Sequence, residues 1–330
     1  MELTVRNVND AFSEIFWKFK VLDLKPEQTR NGPALVYPEP VITTYLKPTE
    51  RVLFHAGRDA NPIFHLMESI WMLAGRKDVG FLQQFNSTIG QYSDDGKSFN
   101  AAYGYRWRHH FGRDQLVDVI ELLRKDPNTR QAVIQMWDSD DLTKDTKDKA
   151  CNTQIVFDTR GGVLNMAVFN RSNDLWWGAY GANVVHFSIL QEVVAASVGL
   201  PVGVYRQISN NLHLYTDLYN AGEYLNVPPA AEEYNLYALD KVRSIPLMMN
   251  SNYKLFLAEC DRFCSDPFKE GVPYTNSFFS RVAHPMAMVS RVRKNKQGVG
   301  RTFAESIRAS DWREAAHAWI NRREAAKKNK

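Results

Sequence analysis

The sequence predicts an α+β domain with a mixed sheet, because segments of helical and of strand periodicity alternate along the chain. Ile63 to Leu73 carries apolar residues at helical spacing. Thr153 to Phe157 and Val163 to Phe169 have strand patterns and are joined by a short turn, which indicates a hairpin. Strands interleaved with long apolar helices are typical of mixed α/β or α+β domains.

The first half of the chain supplies two of the predicted helices and one strand. The helix over Ile63 to Leu73 contains a single acid, Glu68. Asp114 to Lys125 has the pattern of an amphipathic helix, which Pro127 ends because proline cannot donate a backbone hydrogen bond. Gln131 to Trp137 then has the pattern of a strand.

The second half begins with the hairpin, whose turn is Arg160-Gly161-Gly162. Asn183 to Val198 returns to helical periodicity, and Gly199 is the residue type that commonly ends a helix. From about residue 285 the chain is rich in Arg and Lys, and Asp311 to Ala326 has a helical pattern. This pattern predicts a solvated surface helix in a basic helical extension, residues 285–330, of a single domain that covers residues 1–330.

Composition limits the classes to which the protein can belong. With 330 residues, of which 44% are hydrophobic, the chain can bury a large core. A net charge of +4 suits an anionic small substrate but is too small to indicate a nucleic-acid surface. The N-terminus lacks an apolar signal segment, no apolar run is long enough to span a bilayer, and three cysteines do not make a disulfide framework. We therefore expect a cytoplasmic protein without a nucleic-acid or membrane partner.

Cys151 is the candidate nucleophile among the cysteines. It follows a lysine-rich loop and comes just before the strand that starts at Thr153, while Arg171 lies at the end of the partner strand. The hairpin can bring the guanidinium close to the sulfur, where a cation stabilises the thiolate and lowers the pKa of the thiol. Cys260 and Cys264 lie four apart in an apolar helical segment, so we expect core residues rather than zinc ligands.

Several local motifs occur in the order found in thymidylate synthases and their nucleotide hydroxymethylase relatives, and the chain resembles this family from about Arg30 to Asp217. The segments that carry the resemblance are Arg30-Asn31-Gly32, Glu68 with Trp71 and Gly75, Tyr103 to Arg108, Asp126 to Arg130 with Trp137, Cys151, Arg171 to Asp174, and His213 with Tyr215. The resemblance implies a thymidylate synthase-like fold, in which a large, mostly antiparallel or mixed sheet packs against long helices. It further implies that one face of this sheet forms the interface of a homodimer with shared active sites.

The resemblance also implies roles for individual residues. The implied catalytic residues are Cys151, Glu68, Tyr103 and Arg171. The implied substrate-binding residues are Arg30, Arg130, Ser172, Ala182, Asn183, His213 and Tyr215, of which Arg130 serves the site of the neighbouring subunit. The implied cofactor is 5,10-methylenetetrahydrofolate, with Asp174 and Trp71 as its contacts.

These residue types suit the transfer of a one-carbon unit from the folate to C5 of a pyrimidine nucleoside monophosphate. C5 is a poor nucleophile until a thiolate adds to C6, and Cys151 is the candidate for that addition. Guanidinium groups bind phosphate through paired, charged hydrogen bonds, which suits Arg30, Arg130 and Arg171. Glu68 is the candidate proton shuttle. After C5 loses its proton an exocyclic methylene remains, to which either water or hydride adds.

Departures from the family pattern indicate the branch to which the chain belongs. Tyr92 lies roughly where synthases have a tryptophan that assists the hydride step, and a basic tail replaces their short apolar C-terminus. These two differences favour hydroxymethylation over methylation. Asn152 replaces the usual histidine after the nucleophile. One extra residue precedes Asn183, and the small Ala182 stands where a bulky aromatic is expected.

Asn183 does not distinguish between uracil and cytosine as the base, because its amide offers both a donor and an acceptor. The string from Trp177 to Asn183 is more similar to cytidylate hydroxymethylases, and Ala182 leaves room for a ribose hydroxyl. We therefore predict hydroxymethylation of CMP or dCMP, with methylation or hydroxymethylation of dUMP as alternatives. The alternative from another class is a non-catalytic protein that binds nucleic acid through the basic tail.

Overall fold

Two sheets and the helices that pack on them make up the computed structural model, which describes residues 1–217, 234–248, 251–293 and 299–328. The strands are β1 (Glu2–Val5), β2 (Glu27–Thr29), β3 (Gly32–Val36), β4 (Val41–Tyr45), β5 (Val133–Gln135), β6 (Asn152–Asp158), β7 (Leu164–Asn170), β8 (Asn173–Asp174), β9 (Val202–Ser209) and β10 (Leu212–Tyr215). The helices are α1 (Val8–Leu22), α2 (Pro62–Leu73), α3 (Val79–Gln83), α4 (Tyr103–Tyr105), α5 (Gln115–Lys125), α6 (Asn183–Val198), α7 (Tyr253–Ser265), α8 (His284–Arg293), α9 (Val299–Glu305) and α10 (Ser310–Lys328).

The larger sheet has the strand order β1-β4-β9-β7-β6-β5, and the smaller sheet has the order β2-β3-β10-β8. In the larger sheet β4 with β9, β6 with β7, and β5 with β6 are antiparallel, whereas β7 with β9 and β1 with β4 are parallel. The predicted α+β architecture with a mixed, mostly antiparallel sheet is therefore confirmed.

One face of the larger sheet is buried under the helices and the other is half-exposed. Along β9 buried residues alternate with half-exposed ones, as expected where every second side chain faces the core. Tyr45, Tyr205, Met166 and Phe157 form one buried row across neighbouring strands. The helix α6 packs on this face against β7 and β9.

The predicted helices in the first half are present within a residue or two of their expected ends. The side chain of Asn61 accepts a hydrogen bond from the backbone of Phe64 and so caps α2, and Pro62 occupies its first turn. Every residue of α2 except Glu68 is buried. The side chain of Asp114 caps α5.

The hairpin and the helix that follows it are confirmed. The segment between them is irregular, and in the sequence only the extra residue ahead of Asn183 indicated this. Asn152 pairs with Asn170 across β6 and β7. Leu175–Ala182 is a π-helical segment that runs directly into α6. A π-turn accommodates one extra residue in a helix, which explains how the insertion ahead of Asn183 fits. Gly199, at φ 75°, ends α6 as predicted.

The continuous run Leu175–Val198 is long and apolar enough, by length and composition, to cross a membrane. Most of this run is buried inside the protein. Its composition is therefore that of a core helix, and α6 contacts both α2 and the larger sheet.

The C-terminal helix differs from the prediction of a solvated surface helix. Trp312, Trp319 and Ile320 on α10 are at most 4% exposed and belong to the main hydrophobic core. On the same helix Arg322 pairs with Asp59 at 2.8 Å between Nε and Oδ1. The expectation of a solvated helix is wrong because the Arg and Lys residues masked an apolar stripe at helical spacing.

Asp311, at the start of α10, is a buried acid that couples stability to pH. Its carboxylate accepts hydrogen bonds from Tyr237 Oη at 2.9 Å and from the backbone of Trp312 at 2.8 Å. Burial raises the pKa of Asp311 to about 6, although the hydrogen bonds and the charge of Arg51 act in the opposite direction. An unfolded aspartate has a pKa of about 3.9. The protonated carboxyl therefore stabilises the fold fully below about pH 4, and this contribution is lost as the pH rises through about 6.

We expect Asp311→Asn to remove this pH dependence. As the pH rises from about 4 to about 7, the free energy of unfolding of the parent should fall relative to that of the variant. The relative fall should be about 1.4 kcal/mol for each unit between the two pKa values. Denaturant unfolding of both proteins at a series of pH values measures the difference. A difference that does not change with pH would contradict the assignment.

Candidate active site

Cys151 lies just before β6, and Arg171 lies just after its antiparallel partner β7. The backbone N–H of Arg171 donates to the carbonyl of Cys151 at 2.9 Å, which fixes the two residues side by side. Arg171 Nε donates to the carbonyl of Ala150 at 2.8 Å, and Nη2 lies 4.0 Å from Cys151 Sγ. The guanidinium also stacks over Trp137, with Cζ 5.3 Å from the ring centroid. The structure therefore confirms the predicted proximity of guanidinium and sulfur.

The acidity of Cys151 differs from the sequence-based expectation. Burial raises the pKa of the thiol, and this effect outweighs the opposing charges of Arg171 and Arg30. The negative charges of Asp148 and Asp174 act in the same direction as burial. The expected net lowering of the thiol pKa by a neighbouring cation is thus wrong, because burial of the sulfur outweighs the charge of the cation.

Tyr103 contacts the nucleophile through its hydroxyl oxygen. Tyr103 Oη accepts hydrogen bonds from the backbone N–H groups of Cys151 at 3.1 Å and Asn152 at 3.3 Å. Burial raises the pKa of the phenol, as does the nearby Cys151. Next to it, a Cβ on Gly104 would lie 1.9 Å from the carbonyl oxygen of Met72. Only glycine permits this close packing of α4 on the end of α2, which positions the Tyr103 hydroxyl at the backbone of Cys151.

Glu68 projects from α2 toward α6, where it meets a histidine that the sequence analysis missed. Oε2 of Glu68 lies 3.1 Å from Nε2 of His186, and the side chains are 18% and 5% exposed. His186 follows Asn183 by three residues on α6, so both lie on the same face of that helix. No local motif marks His186, because its partner comes from a distant helix.

Asp148 is a second site residue that the sequence analysis missed. Its carboxylate accepts a hydrogen bond from the backbone of Ala101 at 2.7 Å. Burial raises the pKa of Asp148, and the negative charges of Asp94 and Glu68 add to this effect. The residue lies in the lysine-rich loop before Cys151, where alternating charges suggest a solvated segment rather than a buried acid.

Asn183 is held by a chain of hydrogen bonds. Its Nδ2 donates to Asn173 Oδ1 at 3.0 Å, and Asn173 Nδ2 contacts Ser209 Oγ at 3.1 Å. A Cβ on Gly178 would lie 2.8 Å from Asn173 Oδ1. The π-helical segment therefore needs glycine where it passes over this pair of amides.

The smaller sheet presents the residues predicted to bind the sugar. In β10 His213 pairs in register with Asp174 of β8, and the rings of His213 and Tyr215 lie 5.0 Å apart. His213 Nδ1 contacts Asn211 Oδ1 at 2.9 Å, and burial lowers the pKa of its imidazole while Asp174 opposes this. Tyr215 Oη accepts a hydrogen bond from Asn31 Nδ2 at 3.3 Å. The structure therefore brings this predicted set together.

The predicted phosphate ligands fall into two groups. Arg30 lies exposed on the tight turn between β2 and β3, and its charge reaches Cys151. Ser172 lies between Arg171 and β8 and is half-exposed. Arg130 lies elsewhere, because it precedes Ala132, whose carbonyl pairs with Phe157 near the far end of β6. Phe157 is six residues from Cys151, so at about 3.3 Å per residue Ala132 lies roughly 20 Å along the strand from the nucleophile, and Arg130 is two residues further along the chain.

Two predicted contacts find no support in the positions of their side chains. Trp71 is 3% exposed, donates from Nε1 to the carbonyl of Asp78 at 3.1 Å and packs edge-on against Phe99. These are contacts of a core residue, and the role of Trp71 as a folate contact stays a prediction. Ala182 is 4% exposed, so almost none of its surface faces a ligand.

The other cysteines behave as expected. Cys260 is fully buried and Cys264 is 3% exposed, and both belong to the hydrophobic core. Burial raises the pKa of both thiols. Cys151 is therefore the accessible thiol of the chain.

A partly accessible thiol held beside a guanidinium is typical of enzymes that use a cysteine as a nucleophile. Comparison with known proteins gives the family. The family model for thymidylate synthase matches residues 60–239. The chain belongs to the thymidylate synthase family.

Three individual relatives show which members of the family this chain is similar to. A deoxyuridylate hydroxymethyltransferase of Pseudomonas phage M6 is 43% identical over 98% of this chain and 95% of its own length. Another, of Bacillus phage SP01, is 45% identical over 55% of this chain and 51% of its own length. A thymidylate synthase of Symbiobacterium thermophilum is 32% identical over 46% of this chain and 58% of its own length. The chain is thus an enzyme that transfers a one-carbon unit as the members of this family do, with methylenetetrahydrofolate as the donor.

The residues around Asp174 suit the binding of a folate as the one-carbon donor. Asp174 accepts hydrogen bonds from the backbone of Trp176 at 3.2 Å and Trp177 at 2.9 Å, so it caps the π-helical segment. A carboxylate accepts hydrogen bonds, which suits a ligand that presents N–H donors. Trp177 is 41% exposed beside it and offers an aromatic surface.

We expect Arg171→Leu to raise the pKa of Cys151 further, because the variant loses the strongest opposing charge. Alkylation of Cys151 by iodoacetamide at neutral pH should slow roughly tenfold, since the thiolate is the reacting form. Arg171→Lys keeps a cation and should be affected less. The pH profile of alkylation measures the change, and Cys151→Ala gives the background from the buried cysteines. Identical profiles for parent and Arg171→Leu would contradict this electrostatic role.

Proposed function

We propose that the protein transfers a hydroxymethyl group to C5 of dUMP. The observation that carries this proposal is the hydrogen-bond chain that orients the amide of Asn183. Relatives named deoxyuridylate hydroxymethyltransferase, one of them similar over nearly the whole chain, support it. The cytidylate substrate predicted from the sequence stays untested, and these observations favour uracil over it.

The orientation of Asn183 distinguishes the two bases. One proton of Nδ2 is donated to Asn173, which leaves Oδ1 as an acceptor and the second Nδ2 proton as a donor. Uracil presents N3–H and O4, which match an acceptor and a donor in that order. Cytosine presents an acceptor at N3 and an amino group at C4, which require the reversed amide. Reversal of Asn183 alone would place its Oδ1 against Oδ1 of Asn173, so the amide of Asn173 would have to reverse as well.

The chemistry follows from the arrangement around Cys151. The thiolate adds to C6 of the ring, so that C5 becomes nucleophilic and bonds to the one-carbon unit that the folate supplies. Arg171 compensates the charge on the sulfur, and Arg30 with Ser172 holds the phosphate. Tyr103, in contact with the nucleophile, is the candidate relay for the C5 proton. Water then completes the hydroxymethyl group, with Glu68 as the proton acceptor.

Water rather than hydride is supported by the residues that differ from synthases. Tyr92, where synthases have a tryptophan, is 50% exposed and lies on a short 3₁₀ turn. This difference leaves the hydride step without the tryptophan that assists it in the family pattern.

A dimer with shared sites is part of the proposal. The outer face of the larger sheet carries apolar side chains in two rows across the strands. Half-exposed Ile42, Ile208 and Phe169 pair in one row, and half-exposed Val156 pairs with exposed Val133 in the other. Such a face is suited to packing against a second copy. Arg130 lies at the edge of this sheet, far from the Cys151 of its own chain, and can serve the site of the neighbouring chain only.

The test of the substrate is a panel of dUMP, dCMP, UMP and CMP, each incubated with 5,10-methylenetetrahydrofolate. We expect dUMP to be used at least about tenfold more efficiently than the others. Its product should gain the mass of CH₂O, and the folate should leave as tetrahydrofolate. A methyl product with dihydrofolate, or a preference for a cytidylate, would overturn the proposal.

Asn183→Asp is the matched variant for the base. A carboxylate only accepts hydrogen bonds, so it loses the donor for O4 and suits the amino group of cytosine. We expect dUMP turnover to fall about ten- to hundredfold, since an unpaired buried polar group costs about 1–3 kcal/mol. The ratio of dCMP to dUMP turnover should rise. An unchanged ratio would show that Asn183 does not select the base.

Hybrid dimers test the shared site. Arg130→Ala and Cys151→Ala chains are each expected to be inactive alone. When equal amounts exchange subunits, half of the dimers are hybrids with one complete site, so activity should return to about a quarter of the parent value. Two mixtures that each combine one variant with inactive double mutant serve as controls. No recovery despite subunit exchange would show that Arg130 does not serve the site of the neighbouring chain.

A further inference from the structure

Two helices that pack against each other each present a pair of polar residues spaced by three. On α2 the pair is His65 and Glu68, and on α6 it is Asn183 and His186. Residues three apart lie on the same helix face. Asn183 is the proposed base reader and Glu68 the proposed proton acceptor, which leaves the two histidines without a role.

His186 is buried next to Glu68 and has an unsatisfied nitrogen. The residue is 6% exposed, and its Nε2 lies 3.1 Å from Glu68 Oε2. The contact lacks hydrogen-bond alignment, and Nε2 has no other hydrogen-bond partner within the part of the chain that the structure describes. A buried polar nitrogen without a partner carries a cost that a structural residue would avoid. Catalytic hydrogen bonds are often misaligned without substrate and tighten in the complex.

His65 does not compete for this contact. Its ring lies 6.4 Å from that of His186 at an interplanar angle of 84°. Burial lowers the pKa of His65 well below its usual range, and the charges of Arg58 and His186 act in the same direction. His65 is therefore a neutral neighbour, and His186 is the histidine that faces the carboxylate.

We propose that His186 is a positioning residue that donates its Nε2–H to Glu68 and aims the free carboxylate oxygen at the water that completes the hydroxymethyl group. This inference rests on the proposed function and adds a residue to it. The histidine does not touch the substrate. It acts by fixing the direction in which Glu68 accepts a proton.

The step balances without an oxidant or reductant. The oxygen of water bonds to the exocyclic methylene carbon, and the electron pair of the C5–methylene double bond moves toward C4 to form an enolate. One proton of the water passes to Glu68. The enolate then re-forms the C5–C6 double bond, and the bond between C6 and Cys151 Sγ breaks with its electron pair on sulfur.

The test compares two fates of the exocyclic methylene. Added 2-mercaptoethanol competes with water for this carbon and gives a thioether in place of the hydroxymethyl group. Tritium release from 5-labelled dUMP reports the earlier steps. We expect His186→Met to lower the ratio of hydroxymethyl to thioether product at least about tenfold, because Glu68 no longer aims at the water. Tritium release should stay within about threefold of the parent.

Further variants separate positioning from packing. His186→Gln keeps a donor of similar reach and should restore the product ratio to within about threefold. His186→Asn keeps a polar group that is too short, so it should resemble His186→Met and replaces it if that variant does not fold. Ser188→Ala, a buried position on the same helix whose hydroxyl bonds the carbonyl of Val185 at 3.2 Å, is the matched control and should leave the ratio unchanged.

The outcomes distinguish this inference from the proposed function. A parent protein that gives no hydroxymethyl product from dUMP contradicts the proposed function. A parent that does, together with unchanged ratios in His186→Met and His186→Asn, overturns the role of His186 alone. Loss of tritium release in step with product would also overturn it, because His186 would then be needed for the whole fold of the site.

Discussion

The register of the hairpin between β6 and β7 is the constraint on which the site depends. Asn152 pairs with Asn170, so the next residues outward, Cys151 and Arg171, are joined by a backbone hydrogen bond of 2.9 Å. A slip of one residue would turn every side chain of one strand to the other face of the sheet. The buried amides resist such a slip, because Asn152 Nδ2 donates to Asn170 Oδ1 at 2.5 Å and Asn170 Nδ2 donates to the carbonyl of Ile208 at 2.9 Å. The bond between the asparagines also gives Asn152 a structural task in place of the usual histidine.

Charge and burial act against each other at the nucleophile. Burial, Asp148 and Asp174 favour the neutral thiol, whereas Arg171 and Arg30 favour the thiolate. A protonated sulfur is a weak nucleophile and is less prone to oxidation or alkylation. The site therefore holds a protected thiol beside the cations that stabilise its reactive form. Because these arginines are also the proposed phosphate ligands, nucleotide binding and thiol acidity depend on the same charges.

Local patterns predicted the parts of the molecule that local interactions determine. The Gly-Gly turn and the strand alternation located the hairpin. Helical periodicity located α2, α5 and α6 within a residue or two, with Pro127 and Gly199 marking where α5 and α6 end. The extra residue ahead of Asn183 was visible, but its π-helical conformation depends on how Gly178 packs over Asn173. His186 and Asp148 were missed because their contacts come from residues distant in the sequence. The buried face of α10 was missed because the many charged residues of this helix suggested a solvated surface. The burial of Trp312 and Trp319 depends on tertiary packing against the core.

The C-terminal helix α10 is connected through charged side chains to the π-helical segment Leu175–Ala182. Arg322 and Arg323 of α10 both pair with Asp59. The preceding residue, Arg58, is buried and donates from Nε to the carbonyl of Trp176 at 2.7 Å, inside the π-helical segment that leads to Asn183. Asp59 has a left-handed φ of 49°, a conformation that a non-glycine residue keeps only when its surroundings hold it. Arg322 and Arg323 thus hold the turn at Asp59, and the adjacent Arg58 holds the π-helical segment that leads to Asn183, the proposed base reader. The packing of α10 and the position of Asn183 are therefore joined through three arginines.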